Sequence, residues 1–258
     1  MNIPALQVVN VSKRFGGLAA ISDVTLDVLD GSVTALIGPN GAGKTTLFNL
    51  ITNLFPPTSG DIYFHGTSLN RLSPGAIAGL GLIRTFQTAR VFPGMTVLEN
   101  VMVGGHRRLR RHAFEQMLWL PSARREERAL TARADAFLDL AGLGRFRDAA
   151  ATDLPMGSQK LLEVIRALMA RPRLLLLDEP AAGLNDAETA ELGSLLRAVR
   201  DSGTTVMVVE HNMSLVMGVA DRVMVLDAGI LVAAGTPQEI RRNARVIEAY
   251  VGQSEAGV

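Results

Sequence analysis

The 258-residue chain contains no cysteine, which excludes disulfides and thiolate metal sites. It also lacks an excess of charge. The formal net charge is +1, so there is no bulk electrostatic case for binding nucleic acid or an anionic membrane. No window approaches the ~18–20 uninterrupted apolar residues that a membrane-spanning helix needs. The opening "MNIPALQVVNVSKRF" has no cationic start followed by an apolar core, so no secretory signal is expected. Internal repeats, low-complexity tracts and linkers are missing too. Together these absences predict a soluble cytoplasmic protein, without excluding a membrane-bound partner. What is present is 48% hydrophobic residues, enough for one large domain or a core with an inserted lobe.

Strands read at residues 5–11 and 24–29, and "GDIYFHGTSL" reads as a hairpin strand with its turn. From about Pro74 to Met169 the pattern turns helical. The stretch "RRLRRHAFEQMLWLPSARREERALTARADAFLDLAGL" carries apolar residues at helical spacing with arginines on the other faces, as in an inserted helical lobe. Beyond it come the buried parallel strand "PRLLLLDEP", a helix at 186–200, the strand "TTVMVVEH" and the hairpin "DRVMVLDAGILVAAGTP". One amphipathic helix, "PQEIRRNARVIEAYVG", is expected at the end. Strands alternating with helices predict an α/β fold with a mostly parallel sheet.

The segment "GPNGAGKTT" follows the strand "VTALI" and precedes the helix "TTLFNLIT". It matches G-x-x-x-x-G-K-[ST] in full. Glycines at 38, 41 and 43 let the backbone wrap an anion, and the new helix adds its positive end. The candidate phosphate cradle is Gly38, Pro39, Asn40, Gly41, Ala42, Gly43, Lys44, Thr45 and Thr46. Lys44 would reach the β- and γ-phosphates, and the Thr45 hydroxyl would ligate Mg²⁺. A chance glycine turn would not need both flanking elements.

The apolar strand "LLLLDEP" ends in two carboxylates. Asp178 is the candidate metal ligand and Glu179 the candidate general base for an attacking water. The plainer alternative is an acidic strand end that caps the next helix. No Asn-Lys-x-Asp run is present to read guanine, which counts against a GTPase. Gln87 in "IRTFQ", just after a predicted strand, can orient water or a metal ion, and His211 in "VVEHN", at the end of another, can hydrogen-bond a γ-phosphate. His65, His106 and His112 read as structural.

In combination and order, these motifs resemble the nucleotide-binding subunit of an ATP-binding-cassette transporter, over nearly the whole chain. The resemblance implies an ABC-type P-loop NTPase domain spanning 4–251 with a short tail at 252–258. It would hold an N-terminal antiparallel β subdomain and a helical subdomain inserted at about 88–168. ATP and Mg²⁺ are the implied cofactors. Phe15 in "SKRFGG" falls where the family stacks an aromatic ring on adenine. "AAGLND" falls at a loop that crosses the dimer interface, with Asn185 in place of the usual Asp.

The family's signature Leu-Ser-Gly-Gly-Gln starts a helix that caps the γ-phosphate of ATP on the opposite subunit. Here those positions are Leu154, Pro155, Met156, Gly157 and Ser158. Only Leu154 and Gly157 match; Gln159 or Ser158 would have to stand in for the lost polar groups. Pro155 offers neither hydroxyl nor N–H. An asymmetric pair is expected, with this chain's own ATP hydrolysed and the partner's ATP held less well.

Finer stretches, among them "GLIRTFQTARVFPGMTVLENVMVGGH" and "EHNMSLVMGVADRVMVLDAG", resemble one of the two ATPase subunits of branched-chain amino-acid importers. That implies a second, different ATPase subunit, two permeases, a periplasmic solute-binding protein, and a peripheral position on the cytoplasmic face of the inner membrane. It also implies that Gln87 and residues 88–100 touch a permease, and no nucleic acid is implied as a partner. Related importers carry urea, short amides or aromatic acids. The rival readings are a soluble cassette ATPase, which usually carries two cassettes or a long coiled coil, neither present here; a nucleotide-binding structural subunit with little hydrolysis, against which Glu179 and His211 count; and a P-loop kinase, which leaves 154–168 unexplained.

Overall fold

The computed structural model describes residues 4–85, 91–106 and 121–251. The chain divides into two units, Met1–Arg84 with Arg173–Ala182 and Leu196–Val258, and Thr85–Pro172 with Gly183–Leu195.

The first unit holds two sheets. Strands β1 (Pro4–Phe15), β2 (Leu18–Leu29), β4 (Ser59–Phe64) and β5 (Thr67–Ser68) form an antiparallel sheet in the order β2-β1-β4-β5. Val24, Leu26 and Val28 are buried while their neighbours Thr25 and Asp27 face water, the period of a half-buried strand.

The second sheet runs β10-β9-β3-β8-β7-β6. Its members are β3 (Val33–Ile37), β6 (Leu82–Arg84), β7 (Leu174–Asp178), β8 (Thr205–Val209), β9 (Arg222–Asp227) and β10 (Ile230–Gly235). Four of its five pairings are parallel, and β10 returns antiparallel beside β9 at the edge. Every residue of β3, β7 and β8 is buried, as a strand covered on both faces requires. Helix α1 (Lys44–Ile51) puts Leu47, Phe48, Leu50 and Ile51 into one apolar cluster with Leu6, Val24 and Ile62 of the first sheet and Leu36, Leu176 and Met207 of the second. Asp178 pairs with Val209 and Ile37 with Val225, so the carboxyl ends of these strands open at one edge, where α/β sheets bind ligands. Helix α2 (Pro74–Gly79) is capped by the Ser73 hydroxyl.

The second unit is helical: α3 (Val97–Val103), α4 (Pro121–Leu140), α5 (Met156–Met169) and the start of α6 (Asp186–Asp201). Thr96 and Glu99 form a reciprocal capping box that starts α3. The buried amide of Asn100 accepts from Phe92 N–H at 2.7 Å and donates to the Thr96 carbonyl at 3.0 Å, fixing the chain entering α3.

Three local expectations are corrected. The helical reading of 74–169 is interrupted by β6, the strand expected just before Gln87, because "LIR" completes the parallel sheet beside β7. The strand expected through His211 stops at Val209, where the side chain of Glu210 takes over the backbone donors. The terminal helix is two, α8 (Pro237–Arg241) and α9 (Ala244–Val251), after α7 (Met213–Val219). The Asn243 side chain accepts from Arg245 N–H at 3.0 Å, which starts a new helix instead of continuing the old one.

Candidate nucleotide site

The glycine loop leaves β3 and enters α1 through Gly43, whose φ of 100° is left-handed. A Cβ there would stand 2.7 Å from the Ala20 carbonyl, so only glycine fits. Lys44 is buried, and its Nζ donates to the carbonyls of Gly38 at 2.6 Å and Pro39 at 2.8 Å. Burial pushes the Lys44 ammonium below the ordinary lysine range, while Glu179 and Asp178 nearby pull it back up.

These groups line a cleft of about 550 Å³ bounded by Phe15, Leu18, Ala19, Ala20, Asn40–Thr46, Glu179 and Ala228. The sequence reading missed Leu18, Ala19, Ala20 and Ala228. They come from β2 and the β9–β10 turn, and small apolar residues carry no signal of their own. Phe15 is 47% exposed. Its ring meets that of Phe55 edge-on at 5.3 Å, and Lys13 Nζ lies 5.1 and 4.9 Å from the two ring centres. Lys13 also donates to the Pro56 carbonyl at 2.7 Å, which fixes its ammonium beside the two rings.

Asp178 closes β7 and lies buried. Arg84, at the end of β6, donates to its Oδ2 at 2.8 Å and to Asn49 Oδ1 at 2.7 Å. Sequence reasoning missed Arg84; its only signal was a cation closing a short apolar strand. Glu179, the next residue, has φ 48° and lines the cleft. His211 is exposed two residues beyond β8. Gln87 lies outside the described residues, as do Arg107, Arg108, Arg110, Arg111 and His112. A hydroxyl from Thr45 and a carboxylate from Asp178 are the hard oxygen donors that Mg²⁺ takes, so this donor set fits the ion. Among the described residues no cluster of three or more acidic or histidine side chains could hold another metal.

In the second unit, Pro155 is the N-cap of α5 and gives no side-chain cap. Leu154 and Gly157 are buried, and Ser158 is half-buried. Gln159 Nε2 donates to the Leu154 carbonyl at 2.9 Å, so its amide is already engaged. Gly157 packs against the Glu188 side chain. Asn185 Oδ1 accepts from Glu188 N–H, and Glu188 Oε2 accepts from Asn185 N–H, both at 3.0 Å. An amide caps α6 there as an aspartate would.

A glycine loop between a buried strand and a helix, a buried lysine, and a neighbouring strand ending in Asp-Glu define a P-loop NTPase. A family model described as ABC transporter matches residues 21–182, and one described as branched-chain amino acid ATP-binding cassette transporter matches 231–256. The high-affinity branched-chain amino acid transport ATP-binding protein LivG of Escherichia coli is 43% identical over 98% of this chain and 100% of LivG. The corresponding protein BraF of Pseudomonas aeruginosa is 42% identical with the same coverage. The ADP conformation of MJ1267, an ATP-binding cassette of an ABC transporter, has a TM-score of 0.83 at 30% identity, over 97% of this chain and 99% of that one. The chain belongs to the ABC transporter family of ATP-binding cassettes.

Proposed function

We propose that this chain is the ATP-hydrolysing subunit of a membrane importer of amino acids, branched-chain ones first. The carrying observation is the single cleft that brings the glycine loop, Lys44, Thr45, Phe15 and Glu179 together. Identity of 43% to LivG, named for branched-chain amino acid transport, supports the solute class.

In this reading Phe15 offers a face to adenine. The N–H groups of Gly41 to Thr46 and the ammonium of Lys44 hold the phosphates. Thr45 and Asp178 would hold Mg²⁺, which when bound neutralises charge on the β- and γ-phosphates. Glu179 takes a proton from the attacking water, and His211 hydrogen-bonds the γ-phosphate. Gln87 orients water or the metal.

The remaining architecture follows the same reading. A second, different ATPase subunit pairs with this chain beneath two permeases, and a periplasmic binding protein delivers solute to them. The chain sits peripherally on the cytoplasmic face of the inner membrane. No helix among the described residues is long and apolar enough to cross a membrane, which fits that role. The start of α5 faces the partner's ATP and, with Pro155 there, grips it less well.

The test is solute uptake in cells lacking the chain. Return of the parent gene restores labelled leucine uptake, and Glu179→Gln does not. Restored uptake of urea, short amides or aromatic acids without leucine would overturn the solute class. No restored uptake of any solute would overturn the importer role.

A further inference from the structure

Glu210 is fully buried, yet the reaction above gives it no part. Its surroundings are unusual for a buried carboxylate. Oε1 accepts from Ala181 N–H at 2.6 Å. Oε2 accepts from His211 N–H at 3.0 Å and from Asn212 N–H at 3.1 Å. The donors come from two chain segments, one leaving β7 and the other leaving β8. These strands pair in parallel, and their last rung joins Asp178 to Val209. Past that rung Glu179 N–H still reaches the Val209 carbonyl and Glu210 N–H the Leu36 carbonyl, and the N–H groups of Ala181, His211 and Asn212 beyond them turn to the Glu210 side chain instead. One side chain replaces the missing rungs on both sides.

Glu179 sits inside this arrangement. Its φ of 48° is a left-handed conformation that a residue with a side chain keeps only when its surroundings impose it. Its N–H donates to the Val209 carbonyl at 2.9 Å, and its carbonyl accepts from Ala182 N–H at 3.1 Å. Ala181, between them, is tied to Glu210. The turn bearing Glu179 is thus fastened to the exit of β8, the segment that bears His211. On the other side, Asn212 is both a Glu210 partner and the cap of α7, its Oδ1 accepting from Leu215 N–H at 3.1 Å.

We propose that Glu210 is a positioning residue that locks the backbone of Glu179 to that of His211, so that base and γ-phosphate ligand meet ATP as one fixed unit. The inference rests on the ATPase reading above and adds a residue to it. Chemistry explains why the residue is glutamate. Two oxygens on one carbon can accept from both sides at once. Glutamine has one acceptor oxygen, and its NH₂ would face an N–H donor. Aspartate keeps the charge but is one methylene too short to hold both segments.

The test uses the purified full chain for ATP affinity and its assembled complex for turnover. Glu210→Gln should lower kcat about 10- to 100-fold, the worth of lost hydrogen bonds to a charged group. ATP affinity should stay within about twofold, because the Glu210 side chain bonds Ala181, His211 and Asn212, none of them in the glycine loop. Glu210→Asp should lose turnover in the same way. Combined with His211→Ala, Glu210→Gln should add less than its own factor, since it acts through that histidine. Full turnover in either Glu210 variant, fully multiplicative losses, or ATP affinity falling in step with kcat would each overturn the proposal. So would failure of both variants to fold, which would make Glu210 a folding residue. An inactive parent complex would instead sink the ATPase reading itself.

Discussion

Arg84 Nη2 lies 2.8 Å from Asp178 Oδ2, with the two side chains 11% and 4% exposed. The pair joins the ends of β6 and β7, and the bond from Arg84 to Asn49 extends it to α1. One oxygen of the candidate metal ligand is therefore occupied by a fixed guanidinium, which sets how the carboxylate is turned.

Removing one member of a buried ion pair leaves a charge without its partner. Arg84→Met should lower the unfolding free energy by roughly 3–5 kcal/mol. Adding Asp178→Asn should recover part of that loss, because the stranded charge is gone. Urea unfolding of the single and double variants checks both, and a more damaged double variant would contradict the account.

Gly104 ends α3, and the Arg166 carbonyl of α5 occupies the space where its Cβ would stand. Backbone cannot step aside as a side-chain tip can. Gly104→Ala should destabilise by about 1–3 kcal/mol. Gly79→Ala, with open space around it, is the control and should be neutral or mildly stabilising. Thermal melts of the two variants should move in different directions.

His65 is held below its ordinary value of 6.5, first by burial and then by Arg173, with Asp30 opposing. Its buried Nε2 has no hydrogen-bond partner. The sign follows from proton uptake. The unfolded chain binds more protons here, so stability rises with pH through the region below and around 6.5 and is lost on acidification. His65 has φ 43°, which asparagine tolerates. In melts from acid to neutral pH, His65→Asn should keep the turn and flatten this part of the curve. An unchanged pH slope would contradict the assignment.

Pro155→Ser should act twice. A serine at this N-cap can accept an N–H of the first turn of α5, worth about 0.5–2 kcal/mol. On the proposed paired arrangement its hydroxyl also reaches the partner's γ-phosphate, tightening that ATP on the order of 10- to 100-fold. Nucleotide titration of the assembled complex reads the second effect. A gain in melting temperature with no change in ATP affinity would refute the asymmetric pair.

The parts of this site that were legible in the sequence are contiguous. The glycine loop, Lys44 and Thr45 stand together between a strand and a helix, and the local pattern suffices. Asp178 and Glu179 are announced by the apolar run that carries them. What stayed hidden depends on strand order. Arg84 and Asp178 are 94 positions apart, and Ala181 and Glu210 are 29 apart. Only the parallel pairing of β6, β7 and β8 brings them together, and no periodicity encodes it. The split of the last helix was missed for a local reason: Asn243 fits a helical pattern by spacing, but its side chain bonds the backbone two residues on.

The most direct test of the account is ATP turnover by the complex carrying Glu179→Gln, beside ATP affinity in the same preparation. The account predicts a loss of about 10²- to 10⁴-fold in kcat, the usual range for removing a general base. ATP affinity should be nearly unchanged, because the glycine loop and Lys44 are intact. Turnover equal to the parent's would contradict it, and the carboxylate at the cleft wall would then be a structural feature of the β7 exit.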